Sequence, residues 1–223
     1  MKVLNLYAGI GGNRKLWGNE HDITAVELNP DIANIYQDFF PNDKVIVADA
    51  HQYLLEHFKE FDFIWSSPPC PSHSDIRRCG VHKGQYPALY PDMKLYEEII
   101  LLKHFAPDLC KWVVENVKPY YDLLIPGIER DRHIFWSNFF IGDKLGESDR
   151  KHNDIVGSET VYGFYINDYK IDNKRQIMRN LVNPYLGLHI LQESQRDICP
   201  ELFSSRTNVW GVINDYKNTE QSN

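Results

Sequence analysis

The sequence predicts an α/β protein: a mainly parallel sheet with helices on both faces. Three observations carry this expectation. Short apolar runs rich in β-branched and aromatic residues recur through the first 140 residues, as buried parallel strands do. Segments with helical spacing and helix-start signals lie between them. A glycine-rich turn directly follows the first run, where an open α/β sheet approaches a ligand.

Val3-Leu4-Asn5-Leu6-Tyr7 is the first strand and ends at Ala8-Gly9-Ile10-Gly11-Gly12. Residues 23–27 form the second strand, 45–49 the third, 61–65 the fourth and 112–115 the fifth. A helix over 30–40 opens with Asn29 as N-cap and Pro30 at its first position. Residues 51–57 form a second helix, and 93–105 a third with apolar positions at 95, 99, 102 and 105. Such strand–helix–strand repetition implies right-handed crossovers. Beyond Phe140 the pattern changes: 141–170 reads as polar loop with one candidate strand at 160–166. Residues 174–183 read as loop, 184–195 as a helix, and 214–223 as a flexible polar tail. The organisation expected is a main unit over 1–140, a short region over 141–174 and a C-terminal segment over 175–213 that returns to the main unit.

Composition is that of an ordinary globular protein, with 43% hydrophobic and 25% charged residues among 223. No apolar run approaches the ~18 residues of a membrane span, so no membrane partner is expected. The opening MKVLNLYAGIGG enters a strand at once, without a signal-peptide pattern. Four cysteines without a Cys-x-x-Cys pair fit a reducing, cytoplasmic compartment. The net charge of −7 argues against a nucleic-acid partner at long range. Phosphate contacts act within ~8–10 Å, however, and local basic clusters exist at Arg77-Arg78 with Lys83, and at Arg130 with Arg132.

Two features of the first half call for a joint explanation. Glycines 9, 11 and 12 allow a tight turn and close backbone approach to a ligand, while Glu27 and Asp49 stand at the ends of the next two strands. The dinucleotide pattern GxGxxG and the phosphate-loop lysine are both absent, so the set fits a nucleoside cofactor lacking a pyrophosphate. The second feature is Ser66-Ser67-Pro68-Pro69-Cys70-Pro71-Ser72-His73-Ser74 beyond strand four, with Glu115-Asn116-Val117 at strand five. Prolines stiffen the loop and hold the thiol at the sheet's carboxyl edge. A thiolate nucleophile and a proton-donating carboxyl would thus project above one crevice.

Taken in order, these motifs resemble the cytosine-C5 DNA methyltransferase family, and the chain resembles its compact, phage-type members. Tyr7-Ala8-Gly9-Ile10-Gly11-Gly12 is similar to the family's cofactor turn, Glu27 to its ribose-binding acid and Asp49 to its adenine contact. Pro69-Cys70 resembles the nucleophile motif, Glu115-Asn116-Val117 the Glu-Asn-Val triplet and Arg130-Asp131-Arg132 the Arg-x-Arg motif. Residues 179–186 resemble a late segment that packs beside the cofactor turn. The resemblance implies a class I S-adenosylmethionine-dependent methyltransferase fold and S-adenosylmethionine as cofactor. It implies catalysis by Cys70, Glu115 and Arg132 on a cytosine flipped out of the stack. The implied cofactor contacts are Tyr7, Ala8, Gly9, Ile10, Gly11, Gly12, Glu27, Leu28, Asp49, Ala50, Pro69, Asn180 and Val182. Nucleic-acid contacts are implied at Ser74, Arg77, Arg78, Lys83 and Arg130. The partner implied is double-stranded DNA, and the setting a bacterial cell or phage-infected host.

Several positions depart from the family pattern. Pro71 stands where Gln usually follows the Cys, Ile128 where Gln precedes the Arg pair, and Arg179 where Gly is usual. The Arg-x-x-Thr-x-x-Glu motif is not found. Residues 141–174 leave little room for base readout, which implies a short or relaxed sequence preference, or help from a partner chain or homodimer. RNA as substrate and a catalytically silent regulatory subunit stay open. So do a buried structural Cys70 and a Glu115 that serves only as a strand-end ion pair. Cys70-x-x-His73 and Cys79-x-x-His82 also have zinc-ligand spacing, although no metal is expected.

Overall fold

The computed structural model describes residues 1–130, 133–142 and 162–196. Its frame is one seven-stranded sheet: β1 (Lys2–Leu6), β2 (Asp22–Glu27), β3 (Lys44–Val47), β4 (Phe63–Ser66), β5 (Lys111–Val117), β6 (Ile128–Arg130) and β7 (His133–Ser137). The spatial order is β3-β2-β1-β4-β5-β7-β6. Strands β1 to β5 pair in parallel, whereas β7 runs antiparallel to both β5 and β6. Strand order reverses between β1 and β4, which is where ligands enter open α/β sheets, outside the strands' carboxyl ends.

The alternation of side chains along β1 assigns the layers. Leu4 and Leu6 pack on one face with Leu54 of α2 (Ala50–His57) and Leu95 and Ile99 of α4 (Lys94–Phe105). On the other face, Val3 packs with Leu186 and Ile190 of α6 (Pro184–Gln195). Ile35 and Tyr36 of α1 (Pro30–Phe39) pack beside Ala25 on that face. Helices on both faces of a mainly parallel sheet match the expected α/β class. The local signals also hold, since Asn29 accepts from the backbone N–H of Asp31 and Ile32, and Pro30 opens α1. No helix among the described residues is long and apolar enough to cross a membrane.

Three expectations are corrected, and one helix is added. The third strand ends at Val47, not Asp49; Asp49 instead caps α2, accepting from Gln52 N–H. The sequence 75–82 forms α3 (Asp75–His82), which its low apolar content conceals. Residues read as loop form a short α5 (Lys174–Arg179). Of the candidate strand at 160–166, the described residues 162–166 hold a turn and one bridge position at Phe164, with no ladder. The antiparallel β6–β7 pair has no counterpart among the expected elements.

Two devices brace the segment that follows the glycine turn. Arg14, just beyond that turn, makes a buried bidentate pair with Asp43 (2.8 and 3.0 Å), and Tyr36 donates to the same carboxylate at 2.8 Å. From the C-terminal side, α6 packs so closely that a Cβ on Gly187 would lie 2.2 Å from the Asn13 carbonyl oxygen. Replacing Arg14 with Met leaves Asp43 buried without its cation. We expect this to cost about 3–5 kcal/mol of stability, read as a lower denaturant midpoint.

Candidate active site

Two loops and the end portion of a third strand meet on the carboxyl side of the sheet. Register places Leu6 beside Ser66 and Ser66 beside Val114, so the glycine turn, the Cys70 loop and Glu115 stand in consecutive positions. Side chains then fasten the last two together. Ser67 Oγ accepts from Trp65 Nε1 and donates to Glu115 Oε2, both at 2.7 Å. Asn116 Nδ2 donates to the Pro68 carbonyl at 3.0 Å. The Cys70 carbonyl closes a turn by accepting from the backbone N–H of His73 and Ser74.

Cys70 itself is half-buried. Cys110 is fully buried and its thiol is pushed up to about 12, by burial and then by Asp62, so it stays an inert thiol. Cys79 is exposed on α3. Cys199 lies outside the described residues. Among the described residues no group of three or more His, Cys, Asp or Glu could hold a metal ion. The His73 ring is buried, with Nδ1 against the Tyr121 hydroxyl. Burial, partly offset by Asp92, pushes its pKa down, so it rests neutral. The zinc reading therefore finds no support among the described residues.

Glu115 is buried, with 6% exposure. Its second oxygen lies 3.4 Å from Nε2 of His133 on β7. His133 is not among the residues the sequence singles out. Its neighbourhood arises from the antiparallel register that puts Val117 opposite it, and no local pattern signals that register. Arg132, the third expected catalytic residue, lies outside the described residues. Arg130 turns its guanidinium to the carbonyls of Glu129 and Ile141, both at 2.9 Å.

The glycine turn carries three left-handed residues, Tyr7, Gly9 and Gly11. A Cβ on Gly9 would meet nothing within 4 Å, so open space lies over the turn. Gly11 and Gly12 face inward instead: a Cβ there would lie 2.3 Å from Phe40 and 2.5 Å from the Val182 carbonyl oxygen. Thus Val182 and Leu181 of the late segment back the turn, while Asn180 is exposed at the end of α5. Glu27 accepts from Gly9 N–H at 3.0 Å and from Asn29 N–H at 2.9 Å, so each oxygen keeps a free lone pair. Leu28 is 67% exposed at the strand end, Val47 is 54% exposed at the end of β3, and Asp49 is exposed nearby. Ala50 is buried in α2. Open backbone, a free-faced carboxylate and exposed apolar side chains fit the ribose and base of a nucleoside ligand.

Beside the Cys70 loop lies a cavity of about 220 Å³, lined among others by Pro71, Ser74, Arg77, Arg78 and Tyr120. Arg78 sits over the Tyr120 ring at 5.3 Å, and Arg77 over Tyr86 at 5.3 Å. The structure thus brings together Ser74, Arg77 and Arg78; Lys83, at the end of α3, does not line this cavity.

Residues 1–120 match the family model of the C-5 cytosine-specific DNA methylase. The chain belongs to that family. Membership supports methyl transfer to cytosine, with S-adenosylmethionine as methyl donor. None of the curated proteins matches. Among solved structures, a triple mutant of DNMT2 from Spodoptera frugiperda is 26% identical; the match covers 52% of this chain and 35% of that one, at a TM-score of 0.34. A SAM-dependent methyltransferase of Agrobacterium tumefaciens is 14% identical, over 54% of this chain and 40% of that one, at a TM-score of 0.40. A hypothetical protein of a Thermus species is 14% identical, over 61% of this chain and 73% of that one, at a TM-score of 0.42. The family assignment rests on the match over residues 1–120.

Proposed function

We propose that this family member is a DNA cytosine-C5 methyltransferase that acts through a transient covalent bond between Cys70 and an extruded cytosine. The supporting observation is the fastening of the Cys70 loop to Glu115, through Ser67 and Asn116, beside the glycine turn. A target base inside a duplex cannot be reached, so it is rotated out of the stack.

Cytosine C5 is a weak nucleophile. The Cys70 thiolate adds to C6, forming an S–C bond and moving the ring's C5–C6 electron pair toward C5 and the N3–O2 system. Glu115 binds the N3 and amino edge and places a proton on N3, so the displaced charge is neutralised. Arg132 holds the base carbonyl as negative charge develops. S-adenosylmethionine, when bound, would supply an electrophilic methyl group to C5, the S–CH3 bond breaking with its electron pair left on sulfur as S-adenosylhomocysteine. A base or water then takes the C5 proton, the C–H electron pair restores the C5–C6 double bond, the C6–S bond breaks to return the Cys70 thiolate, and N3 gives its proton back to Glu115.

The cofactor contacts proposed are Tyr7 through Gly12, Glu27, Leu28, Asp49, Ala50, Pro69, Asn180 and Val182. The cavity residues Ser74, Arg77 and Arg78 take the nucleic-acid backbone, with Lys83 and Arg130 contributing at longer range. We assign residues 1–140 to catalysis, 141–174 to target recognition and 175–213 to closing the domain. The short recognition region favours a relaxed sequence preference or a contribution from a second chain.

Incubation with duplex DNA, or in parallel with RNA, and labelled S-adenosylmethionine tests the reading. Nucleoside mass spectrometry is expected to find 5-methylcytosine in the DNA. Label confined to RNA, or absent from both while the cofactor binds, overturns it.

A further inference from the structure

Glu98 lies in the middle of α4 with no exposed surface. Three side chains from three other parts of the chain converge on its carboxyl group. Tyr7, directly after β1, donates its hydroxyl to Oε1 at 2.6 Å. His51, in the first turn of α2, places Nδ1 3.0 Å from the same oxygen. Ser66, the last residue of β4, donates to Oε2 at 2.5 Å. No expected site residue other than Tyr7 belongs to this group.

The partners hold their protons. Burial, and then Glu98, pushes the Tyr7 phenol far above its ordinary range, so the hydroxyl remains a donor. The hydrogen bond to Glu98 pushes His51 upward despite burial, and Glu97 lies 3.3 Å from its other nitrogen. A buried carboxyl with three fixed donors is a satisfied group, and rigid for that reason. Its partners stand at functionally separate places. Tyr7 begins the glycine turn, in a left-handed backbone conformation that an aromatic residue adopts rarely. Ser66 begins the loop that carries Cys70, directly before the Ser67 that is bonded to Glu115.

We infer that Glu98 is a positioning residue that couples the methyl-donor turn to the nucleophile loop, by binding Tyr7 and Ser66 through one buried carboxyl group. The inference rests on the reading of the site as a methyltransferase centre. Tyr7 and Ser66 are hydrogen-bonded to different oxygens of the same carboxyl, so a change at either is transmitted to the other through Glu98. In the Glu98→Gln variant one arm is an NH₂ donor facing a donor, and at least one of the three bonds is lost.

The test is a double-mutant cycle of Tyr7→Phe and Ser66→Ala, made in the wild-type protein and in Glu98→Gln. S-adenosylmethionine affinity is measured by calorimetry, kcat on duplex DNA by methyl transfer, and stability by the melting temperature. Tyr7→Phe is expected to weaken cofactor binding roughly tenfold with a smaller effect on kcat. Ser66→Ala is expected to lower kcat roughly tenfold with a smaller effect on affinity. Their effects are expected to be non-additive in the wild type and additive in Glu98→Gln. Additivity in both backgrounds, or a Glu98→Gln protein with unchanged affinity and kcat, overturns the inference. If Glu98→Gln does not fold, additivity in the wild type alone overturns it, and non-additivity there supports it. Coupling in melting temperature without methyl transfer by the wild type sinks the functional reading and leaves the Glu98 linkage standing.

Discussion

Replacing Cys70 with Ala is expected to abolish methyl transfer to cytosine and to leave S-adenosylmethionine binding near the wild-type level. The thiol is proposed to make the only covalent bond to the base, and without it C5 keeps its aromatic electron pair and stays a weak nucleophile. The loss expected is at least about 10³-fold in kcat, equivalent to ~4 kcal/mol of barrier. Stability changes little, because the side chain is half-buried and small. The glycine turn leaves a different strand, so cofactor affinity measured by calorimetry is the internal control. DNA containing 5-fluorocytosine gives a second readout. Fluorine cannot depart as the C5 proton does, so the adduct is expected to persist as a denaturant-resistant protein–DNA species in the wild type and to be missing in Cys70→Ala. Near-normal turnover by the alanine variant would falsify the covalent route.

The Glu115→Gln substitution is expected to reduce kcat by about 10²–10⁴-fold with cofactor affinity unchanged. Gln has the same shape, and its carbonyl can still accept from Ser67, so the loop stays fastened to β5. What is lost is the transferable proton. An amide can hydrogen-bond the pyrimidine edge but cannot deliver a proton to N3, so the charge moved into the ring by the thiolate stays unneutralised. Single-turnover methylation on duplex DNA separates this from a binding defect: the rate at saturating DNA falls, while half-saturation moves little. A fall in affinity with an intact saturating rate would instead make Glu115 a binding group only.

Much of the fold is legible from the chain because the signals are local. The Asn29–Pro30 helix start and the five apolar runs each depend on residues a few positions apart, and the structure forms a helix and five strands there. Parallel crossovers then bring the carboxyl ends of the strands to one edge, so Gly9 and Cys70 can be expected on that edge; β5 runs on through Val117, so Glu115 lies within its strand, and the pairing of β1 with β4 and β4 with β5 sets the three side by side. What escapes the sequence depends on partners far away along the chain. His133 acquires its proximity to Glu115 from an antiparallel register. Arg14 is an ordinary surface residue in the sequence and becomes a buried cation only because Asp43 meets it. Glu98 sits in a helix next to another glutamate, and only packing decides which of the two is buried. The helix α3 has few apolar residues, and Gly80 lies within it; a Cβ there would meet the Tyr86 ring at 2.4 Å.

The sequence by itself determined the sheet's parallel core, the glycine turn, the loop that carries the sulfur and the strand that carries the carboxyl, since backbone preference and hydrophobic period act over a few residues. Tertiary structure alone decided how these are held: Ser67 on Glu115, Asn116 on Pro68, and Tyr7 and Ser66 on one buried carboxyl. A buried polar group must find partners wherever the fold brings them, and the distance between those partners along the chain places them beyond any local pattern.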